Sequence, residues 1–168
     1  KLEKLPNKYD LLGEETLKAL LARRQIEFDR LSETPVCANL SNGMLCAWVM
    51  VDLEQPMFDQ QTMIRKALQL LLDEEPSSVH LAVNGNSHQK QLLARLAVYV
   101  AWVNGAVLPV RKNKPDRKPL DMIYLYGYEE ADSFILLRAQ AEGNLLARGL
   151  TVLPPNELTP RTYREQIK

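Results

Sequence analysis

Apolar positions along this chain follow two rhythms, a helical one and a strand-like one, and their order outlines a fold. After a charged, proline-broken lead-in, KLEKLPNKYD, the stretch EETLKALLARRQIEF sets Leu17, Leu20, Leu21 and, further on, Phe28 at helical spacing. Glu14 and Glu15 fall in its first turn, where carboxylates favour the helix dipole. Two short apolar runs come next, TPVCANL and GMLCAWVMVD, on either side of SNG. Asn42-Gly43 suits a tight turn, so the pair predicts a β-hairpin. The second run is almost continuously apolar from Met44 to Val51, which predicts a strand inside a sheet covered on both faces.

From there the rhythms alternate. DQQTMIRKALQLLLD places Ile64, Ala67, Leu68 and Leu71 on one helical face, and SSVHLAV reads as a short buried strand. SHQKQLLARLAVYVAWVNG predicts a helix with Leu92, Leu93, Leu96, Ala97 and Val100 inward, capped at Ser87 and ended by Asn104-Gly105. DMIYLYGY predicts another strand, followed by a helix from about Glu130 to Arg148. Hairpin, helix, strand, helix, strand, helix is the order of an α/β fold. The expected architecture is a three-layer sandwich with a mixed sheet flanked by helices, antiparallel at its front and parallel in its later strands.

Composition acts mainly by exclusion. The 168 residues suffice for one domain with its own core, and 46% hydrophobic with 25% charged residues is a globular profile. Basic and acidic residues number 21 each, so no global positive charge draws the chain to nucleic acid. The apolar runs are too short to span a bilayer and no secretory signal opens the chain, which points to the cytoplasm and away from a membrane. Cys37 and Cys46, both in apolar runs, read more simply as two buried thiols than as a disulfide. The chain begins at Lys1 rather than at methionine, so its natural start is expected upstream.

Side chains that could converge for chemistry are scarce. His80 and His88 have no cysteine or carboxylate at ligand spacing, whereas a zinc site takes three or four such ligands. One strand histidine and one near a helix start is the simpler reading. Neither a nucleophile elbow nor a phosphate-binding loop of the G-x-x-x-x-G-K-[ST] type is present, and VNGNSHQ holds a single glycine. The basic cluster RKNKPDRKP makes Arg111, Lys112, Lys114, Arg117 and Lys118 candidate contacts for a phosphate backbone. It contains no aromatic ring to stack bases and lies between two predicted strands, so a solvated loop is the first reading. Tyr124, Tyr126 and Tyr128 alternate as the decoration of one strand face would, a sheet surface or interface before a ligand platform.

The stretch AEGNLLARGLTVLPPNELTP, residues 141–160, carries the most specific signal. Ala141, Leu145 and Leu146 continue a buried helical face, Gly149 is a natural stop, and Pro154-Pro155 fixes a rigid turn. Thr159-Pro160 then starts a helix, a threonine cap with proline at the first helical position. As given, that helix is only two turns long and needs something to pack against it. The stretch closely resembles the interdomain linker of the cytosol (leucyl) aminopeptidase family, A-E-G-x-N-L-A-R-D-L-x-N-x-P-P-N-x-L-T-P. Ala141, Glu142, Gly143, Leu146, Ala147, Arg148 and Leu150 match it, as do Pro154, Pro155, Asn156, Leu158, Thr159 and Pro160. Gly149 and Val152 depart from the family's usual aspartate and asparagine, and the arginine-aromatic-aspartate segment of its middle helix is not recognisable in YVAWVNGAVLPV.

The resemblance implies a macro-like N-terminal domain over residues 1–140. Residues 141–168 would be the linker helix and the start of a C-terminal catalytic domain. The parent would be a homo-hexameric metallopeptidase that removes N-terminal residues from peptides, with two divalent ions (zinc or manganese) in the catalytic domain. The family's metal-binding and catalytic segments do not occur in this sequence, so no residue here inherits a catalytic, cofactor-binding or metal-binding role, and the fragment alone is expected to be inactive. An assembly or regulatory role follows, with the chain's own catalytic domain as partner. The alternative is a nucleic-acid-binding module using the basic loop 111–118, against which the zero net charge argues. Macro-type domains also bind ADP-ribose, but that takes clustered glycines, and the seven here are scattered.

Overall fold

A computed structural model describes residues 2–5 (as backbone), 11–108, 118–128 and 134–167. Five strands and five helices lie in these residues. They are β1 (Leu2–Leu5), α1 (Glu14–Arg24), β2 (Val36–Asn39), β3 (Leu45–Trp48), α2 (Met57–Leu72), β4 (Ser78–Ala82), α3 (Ser87–Gly105), β5 (Met122–Tyr126), α4 (Ile135–Thr151) and α5 (Pro160–Gln166). A short 3-10 turn, Phe28–Ser32, links α1 to the hairpin. The chain is therefore mixed α/β, and its strands form two separate sheets.

The larger sheet has the order β1-β5-β4 and is parallel throughout. β4, α3 and β5 make a strand-helix-strand unit, as the predicted alternation requires. Val79, Ile123 and Leu125 turn one face of this sheet inward. Val79 and Ile123 meet Ile64, Leu68 and Leu72 of α2 and Ala97, Val100 and Ala101 of α3. Leu125, wholly buried, meets Val83, Ala94, Val98, Phe134 and Leu137, so α4 joins the same layer. The opposite face carries His80, exposed, and Tyr124 and Tyr126, half-buried. Tyr128 does not share that face: Gly127 takes φ +81°, a conformation open to glycine, and Tyr128 packs in the core at 5.6 Å from the Phe134 ring.

The hairpin forms as the Asn-Gly pair predicts. The Leu40 N–H donates to the Met44 carbonyl at 2.8 Å, Gly43 has φ +82°, and the Asn42 side chain accepts from the Met44 N–H at 3.0 Å. Its placement differs from expectation. β2 and β3 pair with each other in a sheet of their own, and β3 stops at Trp48 rather than running to Val51. This small sheet has its own cluster, in which Leu17, Leu20 and Leu21 of α1 pack on Val36, Trp48 and Leu31. The Trp48 indole N–H donates to the Leu12 carbonyl at 2.8 Å, fixing the start of α1 to the hairpin.

Helix ends follow local chemistry. Asn86, rather than Ser87, caps α3 in a reciprocal box with Gln89, each bond 2.9 Å. Within α3 the inward residues include Ala94, Ala97, Val98, Val100 and Ala101, whereas Leu92 is exposed. The aliphatic stripe along this helix is wide enough for the sheet to choose a face about one position round. α4 passes through Gly149 and ends at Thr151. Among the described residues no helix is long and apolar enough to cross a membrane.

Candidate functional site

The candidate site is built along β4, because this strand has a neighbour on one side only. It lies at the end of the order β1-β5-β4, so its second edge pairs with no other described strand. The Val83 N–H donates to the Tyr126 carbonyl at 3.1 Å, toward β5. Main-chain groups point alternately to the two edges of a strand, so those of His80 and Ala82 point to the free edge. They meet no partner there among the described residues.

Along that edge runs a cleft of about 420 Å³ between the larger sheet and the hairpin unit. Val49, Met50 and Val51, which follow β3, contribute to it, as do Leu68 of α2 and Leu93 of α3. Among the described residues its polar side chains are His80, Asn84 and Gln89, and none of those lining it is charged. The Met50 N–H donates to the Leu31 carbonyl at 3.1 Å, which holds the segment after β3 against the 3-10 turn instead of against β4. Asp52 then ends the extended segment: its carboxylate accepts from the Glu54 N–H at 3.0 Å and from the Gln55 amide at 3.1 Å, which lowers its pKa.

Above the cleft, the outer sheet face presents three stacked rings. The His80 imidazole lies 4.6 Å from Tyr124 and 5.7 Å from Tyr126, ring centre to ring centre. His80 Nδ1 and the Tyr126 hydroxyl are hydrogen-bonded at 3.0 Å. A small polar-aromatic patch thus borders an apolar groove.

Of the sequence-predicted contacts, Lys118 is exposed at the approach to β5, and Arg111, Lys112, Lys114 and Arg117 lie outside the described residues. His88 is exposed in the first turn of α3, on a different element from His80. Cys37 and Cys46 are free thiols. Their register explains why: Cys37 faces Ala47 and Cys46 faces Ala38, so the two point to opposite faces of the hairpin. Burial pushes the Cys46 thiol up to about 11. Among the described residues no group of three or more His, Cys, Asp or Glu could hold a metal ion.

The junction residues take structural roles. Ala141 is buried, and the Arg148 guanidinium donates to the Val103 carbonyl at 3.0 Å, tying α4 to the end of α3. Pro154 starts the turn, its carbonyl accepting from the N–H groups of Glu157 and Leu158 at 2.9 and 3.0 Å. Thr159 caps α5 with Pro160 in its first turn, as predicted. The cleft itself escapes sequence reasoning. Its one signal is a mismatch of lengths, since the apolar run from Met44 to Val51 is twice as long as the four-residue strand it is paired with. No family model and no curated protein sequence matches this chain.

Proposed function

We propose that this chain is the non-catalytic N-terminal domain of a leucyl-aminopeptidase-like metallopeptidase, acting in assembly or regulation of a cytoplasmic parent enzyme that trims peptides from their N-termini. The observation that carries the reading is the junction at residues 141–160. Several of its matched residues support a built joint: Arg148 ties the linker helix to α3, Ala141 is buried, Pro154 turns the chain, and Thr159 with Pro160 launches α5, although Leu146, expected on the buried face, is exposed. That last helix is capped at both the Thr159 and Thr162 side chains yet buries none of its residues. A short helix with such a start and no packed face gains its stability from a neighbour, and the neighbour in this reading is the catalytic domain.

The three-layer, macro-like sandwich belongs to the same proposal. α2, α3 and α4 supply one helical layer, and the second would lie over the face carrying His80, Tyr124 and Tyr126. Metal-assisted hydrolysis would take place wholly in the C-terminal domain, and a homo-hexamer would be the parent's assembly.

The test compares this chain with one extended by the coding sequence downstream of residue 168, each assayed on leucine amide with added manganese or zinc. Activity confined to the extended protein is the expected result. Inactivity of both removes the aminopeptidase reading.

A further inference from the structure

We propose that the cleft beside β4 takes an extended peptide segment with uncharged side chains, which adds as a further strand to the free edge of β4. The inference uses none of the junction residues and stands apart from the aminopeptidase reading. Three observations converge on this occupant. The walls are apolar and no charged side chain among the described residues lines the cleft, so a charged ligand would lose its hydration without gaining a counter-charge from them. The main-chain N–H and C=O groups of His80 and Ala82 face the cleft without partners among the described residues. The cleft also separates two sheets, so a strand laid in it has β4 on one side and the segment Val49–Val51 on the other.

The second observation decides between occupants. A small apolar molecule would satisfy the walls but would strip water from the unpaired main-chain groups and give nothing back. A peptide backbone offers donors and acceptors at the spacing of the strand edge itself, while its alternate side chains reach the apolar walls. His80, Asn84 and Gln89 supply the polar margin.

The experiment titrates the 168-residue chain with an N-acetylated, C-amidated hexapeptide of alternating valine and threonine. Binding is followed by fluorescence of Trp48, which lines the cleft, and by amide hydrogen exchange. Saturable binding is expected, with exchange at His80 and Ala82 slowed at least tenfold and that at Val83, already bonded to Tyr126, unchanged. The same peptide N-methylated at alternate residues should bind at least tenfold more weakly. Ala82→Pro removes one edge N–H at a position where an edge strand tolerates proline, and should give a similar loss with an unchanged circular dichroism spectrum. If that variant is misfolded, the N-methylated peptide still reads the same interaction on the unaltered chain. Equal binding of the two peptides would mean a merely apolar pocket and overturn the proposal. So would no binding at millimolar peptide, or an Ala82 amide already protected in the free chain, which would mean that Val49–Val51 closes directly onto β4.

Discussion

Burial gives the Cys46 thiol a pKa pushed up to about 11, against an ordinary value of 9.0. The unfolded chain would release this proton at the lower value and the folded chain at the higher one. The contribution of this group to stability is therefore complete below about pH 9 and is lost as pH rises from there to about 11. At pH 8 its thiolate fraction is about a hundredfold below that of an ordinary thiol. Alkylation of Cys46 by iodoacetamide, followed by mass spectrometry, should be slow at pH 8, accelerate steeply between pH 9 and 11, and lose its lag in denaturant. Rapid labelling of the native protein at pH 8 would show that the thiol is not shielded. Other single positions yield to similar local reasoning. Tyr124 and Tyr126 decorate one strand face as their alternation predicts, and Tyr128 leaves it because Gly127 reverses the backbone one residue earlier. The periodicity of a strand holds only while the strand lasts.

Elements differ in how much their caps matter, and the difference follows from what each helix buries. α3 and α5 both start with a reciprocal capping box, at Asn86 with Gln89 and at Thr159 with Thr162. α3 carries a row of buried residues across the centre of the core, whereas α5 buries none. Asn86→Ala should therefore cost ~1 kcal/mol of global stability, seen as a lower urea midpoint. Thr159→Ala breaks an equivalent cap and should leave the urea midpoint unchanged, with only a small loss of helical circular dichroism. A matching midpoint shift in both variants would mean that α5 is packed against the domain. Helix existence and most of each face were legible from spacing in α1 and α2: Leu17, Leu20 and Leu21 are buried as predicted, as are Ile64, Ala67 and Leu68. Leu71, however, is half-buried, and Phe28, past the end of α1 at Arg24, is exposed in the 3-10 turn. α3 was less legible because apolar residues surround most of its circumference, and the sheet rather than the sequence selects Ala94 and Val98 over Leu92.

At the scale of the molecule, β5 is where the two sides of the larger core meet. Ile123 packs with α2 and the middle of α3, and Leu125 with α4 and the start of α3. Leu125 is wholly buried, so Leu125→Ala should cost ~2–5 kcal/mol, lost transfer free energy plus a cavity. Phe58, 76% exposed at the start of α2, is the control: Phe58→Ser should stay within ~0.5 kcal/mol. Both values come from chemical denaturation, and a small effect at Leu125 would mean that the core relaxes around the site.

Read alone, the sequence determined much of what is local: the helices and the strands from β2 onward, the Asn42-Gly43 turn, the cap at Thr159, and the apolar character of the run from Met44 to Val51. These depend on backbone preferences and on spacing within a few residues. The charged lead-in shows no strand rhythm, yet it supplies β1. Tertiary structure alone decided that the hairpin stands apart from the parallel sheet, that β4 keeps a free edge, and that a cleft lies beside it. The physical reason is that a run of apolar side chains specifies burial without specifying a partner. Val49, Met50 and Val51 can be sheltered equally well in a sheet or in the wall of a groove. Only the competing hydrogen bond from Met50 to Leu31, the turn imposed by Asp52, and the packing of α2 beneath them select the groove.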